Sequence, residues 1–173
     1  AQNGLDLVVV NPAFPFGPGD VGPTPTGNII LSMIKGMTRL KLAGGLCAVD
    51  VRDVAAGHIL AAEKGRSGEV YILGNTNITG EDFCRLVGDV LGRNERMISV
   101  PTALMEGGAM IGEWVANNIT HKRPMVTVGE IRYGKEYSFM DSSKAKRELG
   151  YKPRDVRQSI EDSVQWFKDN GYT

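Results

Sequence analysis

Three glycines with the spacing G-x-G-x-x-G follow an apolar run near the start of the chain. The run is Leu5 to Val10, and the glycines are Gly17, Gly19 and Gly22. Such glycines can hold the pyrophosphate of a dinucleotide when the first ends a strand in a tight turn and the last lets a helix open toward the phosphates. An acidic residue about 20 positions further on then binds the ribose.

The surrounding residues do not suit that chemistry. Residues 11–16 separate the apolar run from Gly17, and prolines flank the glycines on both sides. Proline fixes φ and removes an amide donor, so a helix cannot run smoothly out of Gly22. Residues 40–42 read Leu-Lys-Leu and contain no acid. The sequence therefore favours a stiff proline- and glycine-rich loop at the end of a strand.

A second phosphate-binding pattern, G-x-x-x-x-G-K, covers residues 129–135 and is followed by Glu136. A triphosphate loop needs Ser or Thr at the position of Glu136 to hold Mg²⁺, and a carboxylate there would repel the phosphates. Thr127 and Glu130 instead have the spacing of a capping box, which predicts the start of a short helix. We therefore do not expect a nucleoside triphosphate to bind here.

The remaining reactive side chains are scattered along the chain. His58 and His121 stand alone, and Cys47 and Cys84 do not have the spacing of metal ligands. We expect His58 to be a hydrogen-bonded residue of a helix and both cysteines to be reduced, packed thiols of a cytoplasmic protein. No metal site is expected.

Short apolar runs alternate with amphipathic segments. The sequence predicts strands at residues 5–10, 46–51 and 69–73, the first of them buried on both faces. Thr26, Asp50 and Thr79 are predicted N-caps. Helices are predicted over residues 26–37, 51–65, 80–92, 102–118, 142–150 and 159–171. Strands that alternate with helices indicate an α/β fold.

Length and charge limit the classes of partner. The 173 residues suffice for about one domain with a buried core. The formal net charge of zero gives no support for a nucleic acid or an anionic membrane as partner. The first residues, Ala-Gln-Asn-Gly, lack a Met and predict the last turn of a helix with Gly4 as its cap. We therefore expect that an N-terminal portion precedes this chain.

Three stretches, in order and together covering nearly the whole chain, resemble one family. They are LDLVVVNPAFPFGPGD, GGLCAVDVRDVAAGHILAAEKGRSGEVYILGN and DSSKAKRELGYKPRDVRQSIEDSVQWFKDNGY. The sequence resembles the C-terminal half of the extended short-chain dehydrogenase/reductases (the NAD-dependent epimerase/dehydratase superfamily), and within them the dihydroflavonol-4-reductase-like branch. The resemblance implies that residues 1–173 form the C-terminal part of a Rossmann-type doubly wound parallel sheet with a small substrate-binding subdomain. The dinucleotide-binding half is then expected upstream.

The resemblance also implies where the chemistry lies. In relatives the loop after the sixth strand lines the nicotinamide, which assigns cofactor contacts to Asn11, Pro12, Ala13 and Phe14. NAD or NADP is expected in the full-length protein, and no tight binding by this chain alone. The family's catalysts are a Ser/Thr and a Tyr-x-x-x-Lys pair, whose Tyr is the general acid or base. No tyrosine of this chain is followed by Lys at that spacing, so the catalysts are expected upstream and the chain alone is expected to be inactive.

One position narrows the substrate that the resemblance implies. Nucleotide-sugar epimerases of the superfamily carry an Arg seven residues before the position of Asp53, where it binds the diphosphate, and this chain has Leu46 there. An apolar side chain cannot make that bidentate contact. A small uncharged or aromatic carbonyl substrate is therefore favoured. Phe14, Phe16, Leu46 and Cys47 are expected to form an apolar wall of its pocket. The expected substrate contacts are Phe16, Met37, Leu46 and Cys47.

Three functions stay open at this point. The first is the substrate-binding part of a reductase that moves hydride between nicotinamide and a carbonyl or alcohol carbon. The second is a nucleotide-sugar epimerase or dehydratase, and the third is a non-catalytic relative that senses the cofactor. We also expect the chain to self-associate through residues 5–10, because a parallel strand normally has a neighbour on each side.

Overall fold

The fold is given by a computed structural model that describes residues 4–36, 43–93, 100, 102–121, 124 and 127–173. The strands are β1 (Val9–Pro12), β2 (Phe14–Phe16), β3 (Gly45–Asp50), β4 (Val70–Leu73), β5 (Thr76–Thr79) and β6 (Tyr137–Ser138). The helices are α1 (Pro25–Ile34), α2 (Val51–Lys64), α3 (Gly80–Val90), α4 (Thr102–Val115), α5 (Val128–Tyr133), α6 (Ser143–Glu148) and α7 (Val156–Asp169). A π-helical turn, Ala116–Thr120, continues α4. The predicted α/β class is confirmed.

One extended segment, residues 9–16, supplies strands to two sheets. Its first half, β1, pairs in parallel with β4, and its second half, β2, pairs in parallel with β3. Ala13 lies between the two halves, and its amide still donates to the carbonyl oxygen of Leu73 at 3.0 Å. The segment therefore changes its pairing partner from β4 to β3 at residues 12–14, and we call these residues the fork.

The second sheet is mixed, which the sequence does not predict. β3 is buried along its whole length, and it pairs antiparallel with β5 and in parallel with β6. β5 reads Thr-Asn-Ile-Thr, a short polar segment with no strand signal of its own. The predicted loop after residue 10 likewise contains the end of β1 and all of β2. These segments have no strand signal in their own sequence, and they form strands because they pair with β3 and β4.

The first strand differs from its prediction in place and in burial. β1 covers Val9–Pro12 rather than residues 5–10. Leu5, Leu7 and Val9 are 63%, 45% and 38% exposed. The prediction of burial on both faces is therefore wrong for the described chain. Val8 and Val10 pack against buried residues of the neighbouring elements, whereas Leu5, Leu7 and Val9 occupy the alternate positions, whose side chains stay exposed. β1 also pairs with β4 alone among the described strands.

Two apolar clusters hold the helices on the strands. The first surrounds Phe16, Phe83 and Phe167 and joins α1, α3 and α7 to β2 and β3. The rings of Phe16 and Phe83 lie 4.8 Å apart between centroids. The second cluster surrounds Tyr71 and Leu149 and joins α2 and α6 to β3 and β4. β3 contributes residues to both clusters and is thereby covered on both faces.

Two of the three N-caps predicted for α1, α2 and α3 are confirmed. The side chain of Asp50 accepts a hydrogen bond from the amide of Arg52 at 2.8 Å, and α2 follows. The Thr79 hydroxyl accepts from the amide of Asp82 and donates to the Asp82 carboxylate, so Thr79 caps the first turn of α3. These short polar residues satisfy amides that a helix start would leave unpaired.

The helix after the glycine loop begins at Pro25 and not directly after Gly22. Its cap is Thr24 rather than the predicted Thr26, because the Thr24 hydroxyl accepts from a first-turn amide and proline is favoured at the first helical position. Asp20 accepts from the Thr24 amide with both carboxylate oxygens. The amides of Thr24 and Gly27 at the start of α1 are therefore occupied by the protein's own side chains.

Some predictions fall outside the described residues. Residues 1–3 and 37–42 are not described, so the predicted helix end before Gly4 and the predicted substrate contact at Met37 have no structural test. Gly4 itself has φ +77°, the conformation expected of a cap. None of the described helices is both long and apolar enough to cross a membrane.

Candidate functional site

The predicted cofactor residues lie at the fork and just before it. Asn11 and Pro12 are exposed, and Ala13 and Phe14 are half-buried. β1 ends at Pro12 opposite the end of the parallel strand β4. In open α/β sheets ligands bind in the crevice outside the carboxyl ends of the strands, where the chain turns to different neighbours. The fork has this arrangement, so the four residues lie where a ligand is expected.

Gly74, directly after β4, contacts the fork closely. A Cβ built on Gly74 would lie 2.6 Å from Sγ of Cys47 and 3.4 Å from Cβ of Ala13. Any side chain at Gly74 would therefore displace the thiol. Gly74 thus lies against both Cys47 and Ala13.

The expected substrate residues do not form one wall. Consecutive side chains of a strand point to opposite faces. Leu46 packs in the cluster of Phe16 and Phe83, whereas Cys47 lies at Gly74. The idea of a single pocket wall that contains both Leu46 and Cys47 is therefore wrong. Contact of any of these residues with a substrate stays a prediction.

Cys47 is a packed thiol. It is 1% exposed, and its Sγ lies 3.9 Å from the carbonyl oxygen of Met140 as a weak donor. Burial raises the pKa of the Cys47 thiol above its ordinary value. Because the thiolate is the nucleophilic form, a raised pKa does not suit a nucleophile. Cys47 therefore contributes to the fork by packing. Cys47 and Cys84 are both buried thiols that form no disulfide, as predicted.

A serine of α7 fixes the loop that follows the fork. The amide of Gly17 donates to the Ser163 hydroxyl at 2.8 Å, and that hydroxyl donates to the Gly17 carbonyl at 3.0 Å. A cleft of about 150 Å³ lies beside this contact, between the loop, α1, α2 and α7. The sequence analysis missed Ser163. The available signal was two serines, Ser159 and Ser163, on the apolar face of α7.

A buried carboxylate anchors the start of α2 beside the same loop. Asp50 is 0% exposed and accepts from the Arg52 side chain at 2.9 and 2.6 Å. Arg52 also donates to Asp162 of α7 at 2.5 Å. Burial alone would raise the pKa of Asp50, but hydrogen bonds from Arg52 and Ser159 outweigh it and hold that pKa below its ordinary value. Asp50 is thus an ionised structural cap that joins β3, α2 and α7.

Of the remaining reactive side chains, His58 has a hydrogen-bond partner and the Tyr151 hydroxyl has none among the described residues. His58 Nδ1 lies 2.8 Å from the carbonyl oxygen of Val54, the hydrogen-bonded helix histidine that was predicted. The Tyr151 hydroxyl is buried and has no hydrogen-bond partner among the described residues. Burial, with the charge of Asp53 adding to it, raises the pKa of Tyr151 above its ordinary value. The described residues hold no group of three or more His, Cys, Asp or Glu side chains placed for a metal ion.

The sequence and the fold of this chain were compared with those of known proteins. No protein-family model matches the chain. The chain is 36% identical over 176 residues to a Synechocystis sp. protein named "Putative dihydroflavonol 4-reductase", covering 99% of this chain and 51% of that protein. It is 28% identical to the crystal structure of PA4631, described as a nucleoside-diphosphate-sugar epimerase from Pseudomonas aeruginosa, with a TM-score of 0.78. That match covers 99% of this chain and 51% of PA4631.

The chain belongs to the extended short-chain dehydrogenase/reductase superfamily. It spans about half the length of the relatives it matches. The fold also matches the Bordetella bronchiseptica enzyme WbmF, solved in complex with NAD⁺, at a TM-score of 0.63 and 21% identity. That match covers 98% of this chain and 47% of WbmF and shows likeness of fold alone. The resemblance of the three sequence stretches to this superfamily is confirmed.

Proposed function

We propose that this chain is the part of an NAD(P)-dependent oxidoreductase that lines the nicotinamide end of the cofactor and covers a small carbonyl or alcohol substrate. The observation that carries the proposal is the fork, where the chain changes its pairing from β4 to β3 at the carboxyl end of β1, in a chain 36% identical to a protein named "Putative dihydroflavonol 4-reductase". The superfamily contains NAD-dependent reductases, epimerases and dehydratases, and the reductase branch accounts best for the uncharged residues here.

The residues of the fork suit one end of the cofactor and not the other. Asn11, Pro12, Ala13 and Phe14 carry no charge, so they suit a flat nicotinamide ring and offer nothing to a pyrophosphate. The cofactor, when bound, supplies or accepts a hydride at the substrate carbon. Half-buried Ala13 and Phe14 would exclude water from one side of that ring, and the Asn11 amide offers a donor and an acceptor at its edge.

The substrate class follows from the position that would otherwise hold a diphosphate. Leu46 is 9% exposed and packs against the aromatic cluster of Phe16 and Phe83. A guanidinium in that setting would be a buried charge without a partner, which is costly. Leu46 thus offers no cation to a diphosphate, which favours an uncharged substrate over a nucleotide-sugar.

One other function has specific support, since the identity with PA4631 favours a nucleotide-sugar epimerase or dehydratase. A cofactor-sensing relative is the third function, which a full-length sequence without Tyr-x-x-x-Lys would favour. The three functions differ in turnover: a reductase oxidises NAD(P)H with a carbonyl, an epimerase or dehydratase converts a nucleotide-sugar, and a sensor binds cofactor without turnover.

Assays of the full-length protein distinguish these functions. NADH and NADPH oxidation would be followed with a panel of aliphatic and aromatic aldehydes and ketones, and UDP-glucose and dTDP-glucose would be assayed in parallel. We expect NAD(P)H oxidation with uncharged carbonyls and no conversion of the nucleotide-sugars. Conversion of the nucleotide-sugars alone, or cofactor binding without any turnover, would reject the proposal in favour of the respective alternative.

A further inference from the structure

A single hydroxyl on α7 holds both backbone polar groups of Gly17. Ser163 is 2% exposed, and its Oγ accepts from the Gly17 amide and donates to the Gly17 carbonyl. Both bonds are buried. Buried backbone groups need partners, and Ser163 supplies the partner of each. The orientation of the peptide units on either side of Gly17 is thereby set by one side chain.

The opposite side of Gly17 is closed by α2. Gly17 has φ +146°, and a Cβ built on it would lie 2.7 Å from Cγ1 of Val51 and 3.6 Å from Oδ1 of Asp50. Only glycine fits this approach. Phe16, the preceding residue, is fixed against Phe83. Gly17 is therefore clamped between the first residue of α2 and Ser163 of α7.

The helix that carries Ser163 is itself tied to the strand beside the loop. Asp162, the preceding residue, accepts from Arg52, and Arg52 is paired with buried Asp50 at the end of β3. β3 is the parallel partner of β2. The position of Ser163 is thus set relative to the strand that holds the second half of residues 9–16.

We propose that Ser163 is a positioning residue that holds residues 11–16 in the orientation that receives the nicotinamide and the carbonyl substrate. The role rests on the proposed function, since those residues are assigned to cofactor and substrate there. Loss of the hydroxyl would leave a buried donor and a buried acceptor at Gly17 without partners, and the loop would shift to reach water. A shifted loop weakens binding without removing a group that takes part in the reaction.

The test compares three serine variants of the full-length protein. Ser163→Ala should raise the KM for the carbonyl substrate and the Kd for NAD(P)H by roughly tenfold while kcat changes about twofold or less, the pattern of lost binding. Ser163→Thr keeps the hydroxyl and should restore both values. Ser159→Ala is the control, because Ser159 is equally buried on α7 but its hydroxyl contacts the Asp155 carbonyl and Asp50 rather than Gly17. Hydrogen exchange of the Gly17 amide should accelerate in Ser163→Ala alone.

The outcomes separate this role from the proposed function. If Ser163→Ala and Ser159→Ala give the same KM and Kd, the positioning role is rejected even when the Gly17 amide exchanges faster, because Ser163 then only supports the fold. If the wild-type protein shows no NAD(P)H-dependent turnover of carbonyls, the proposed function fails and the role of Ser163 fails with it. Raised KM and Kd in Ser163→Ala with rescue by Ser163→Thr would support both.

Discussion

Arg154 binds both carboxylate oxygens of Asp53. Its backbone amide donates to Oδ2 at 2.7 Å, and its Nε donates to Oδ1 at 3.0 Å. Asp53 lies in the first turn of α2, and the segment around Arg154 also receives a hydrogen bond at its carbonyl from the Asn75 side chain at 2.7 Å. The contact joins the chain just before α7 to the helix start beside the fork.

We expect Asp53→Ala to unfold more easily than the wild type. Its side chain is 8% exposed, so the change leaves the part-buried Arg154 amide without its acceptor and the guanidinium with Asp50 alone among the described residues, at 3.8 Å. Because the Arg154 side chain is 33% exposed, we expect the free energy of unfolding to fall by about 2 kcal/mol, mainly from the unsatisfied amide. Urea denaturation measures this, with Asp89→Ala on the exposed side of α3 as a control that should change it by about 0.5 kcal/mol or less. Equal losses in the two variants would contradict the importance of the contact.

Asp50 should make stability depend on pH in the acid range. Burial opposes its ionisation, but hydrogen bonds from Arg52 hold its folded-state pKa below the ordinary value. A group with a lowered folded-state pKa adds stability that is present above its unfolded pKa, about 3.9, and lost as the pH falls through the folded-state pKa. Asp50→Asn should therefore be less stable at neutral pH and lose less further stability on acidification.

Urea denaturation from neutral pH down through the acid range tests this prediction. The wild-type free energy of unfolding should fall more steeply than that of Asp50→Asn as Asp50 becomes protonated. Parallel pH curves for the two proteins would show that Asp50 adds no ionisation-dependent stability.

Local signals explain which elements the sequence predicts. Asp50 and Thr79 are recognised as caps because capping depends on a side chain and the few amides that follow it. β5 is missed because its polar residues become a strand only by pairing with β3, which lies some 30 residues earlier. β1 is displaced from its prediction because β4 decides which residues pair.

The candidate site shows the same limit. The residues before and at the fork are predicted from the three stretches that resemble the superfamily, because a whole stretch can be compared with relatives. The contact between Ser163 and Gly17 spans 146 residues, and the contact between Gly74 and Cys47 depends on two strands that are not neighbours. Spacing along a sequence carries no information on such contacts.

Gly74→Ala should disturb the fork. The added methyl would lie 2.6 Å from Sγ of Cys47, so either the thiol or Ala13 must move. We expect weaker NAD(P)H binding by the full-length protein, measured by fluorescence titration, and a second substitution, Cys47→Ala, should restore it by making room. Gly108→Ala is the control, since a Cβ at Gly108 in α4 has no neighbour within 4 Å. Failure of Cys47→Ala to rescue binding would show that the crowding is not at the thiol.

The 173-residue chain should self-associate through the edge of β1. Val9 is exposed, and β1 pairs only with β4 among the described strands. An exposed apolar strand edge is a template for pairing, and a lysine on it prevents this. Sedimentation should show Val9→Lys closer to a monomer than the wild type. Ile59→Lys, at a residue 60% exposed on α2, should sediment like the wild type. A monomeric wild-type chain would overturn the prediction.

We expect Ala13 to lie beside the nicotinamide in the full-length protein. A nuclear Overhauser spectrum of that protein, with labelled alanine methyl groups and saturating NAD⁺ or NADP⁺, measures this contact directly. It should show a cross-peak between the nicotinamide ring protons and the Ala13 methyl, identified by its loss in Ala13→Gly. A saturated complex whose nicotinamide protons show no cross-peak to the Ala13 methyl would contradict it.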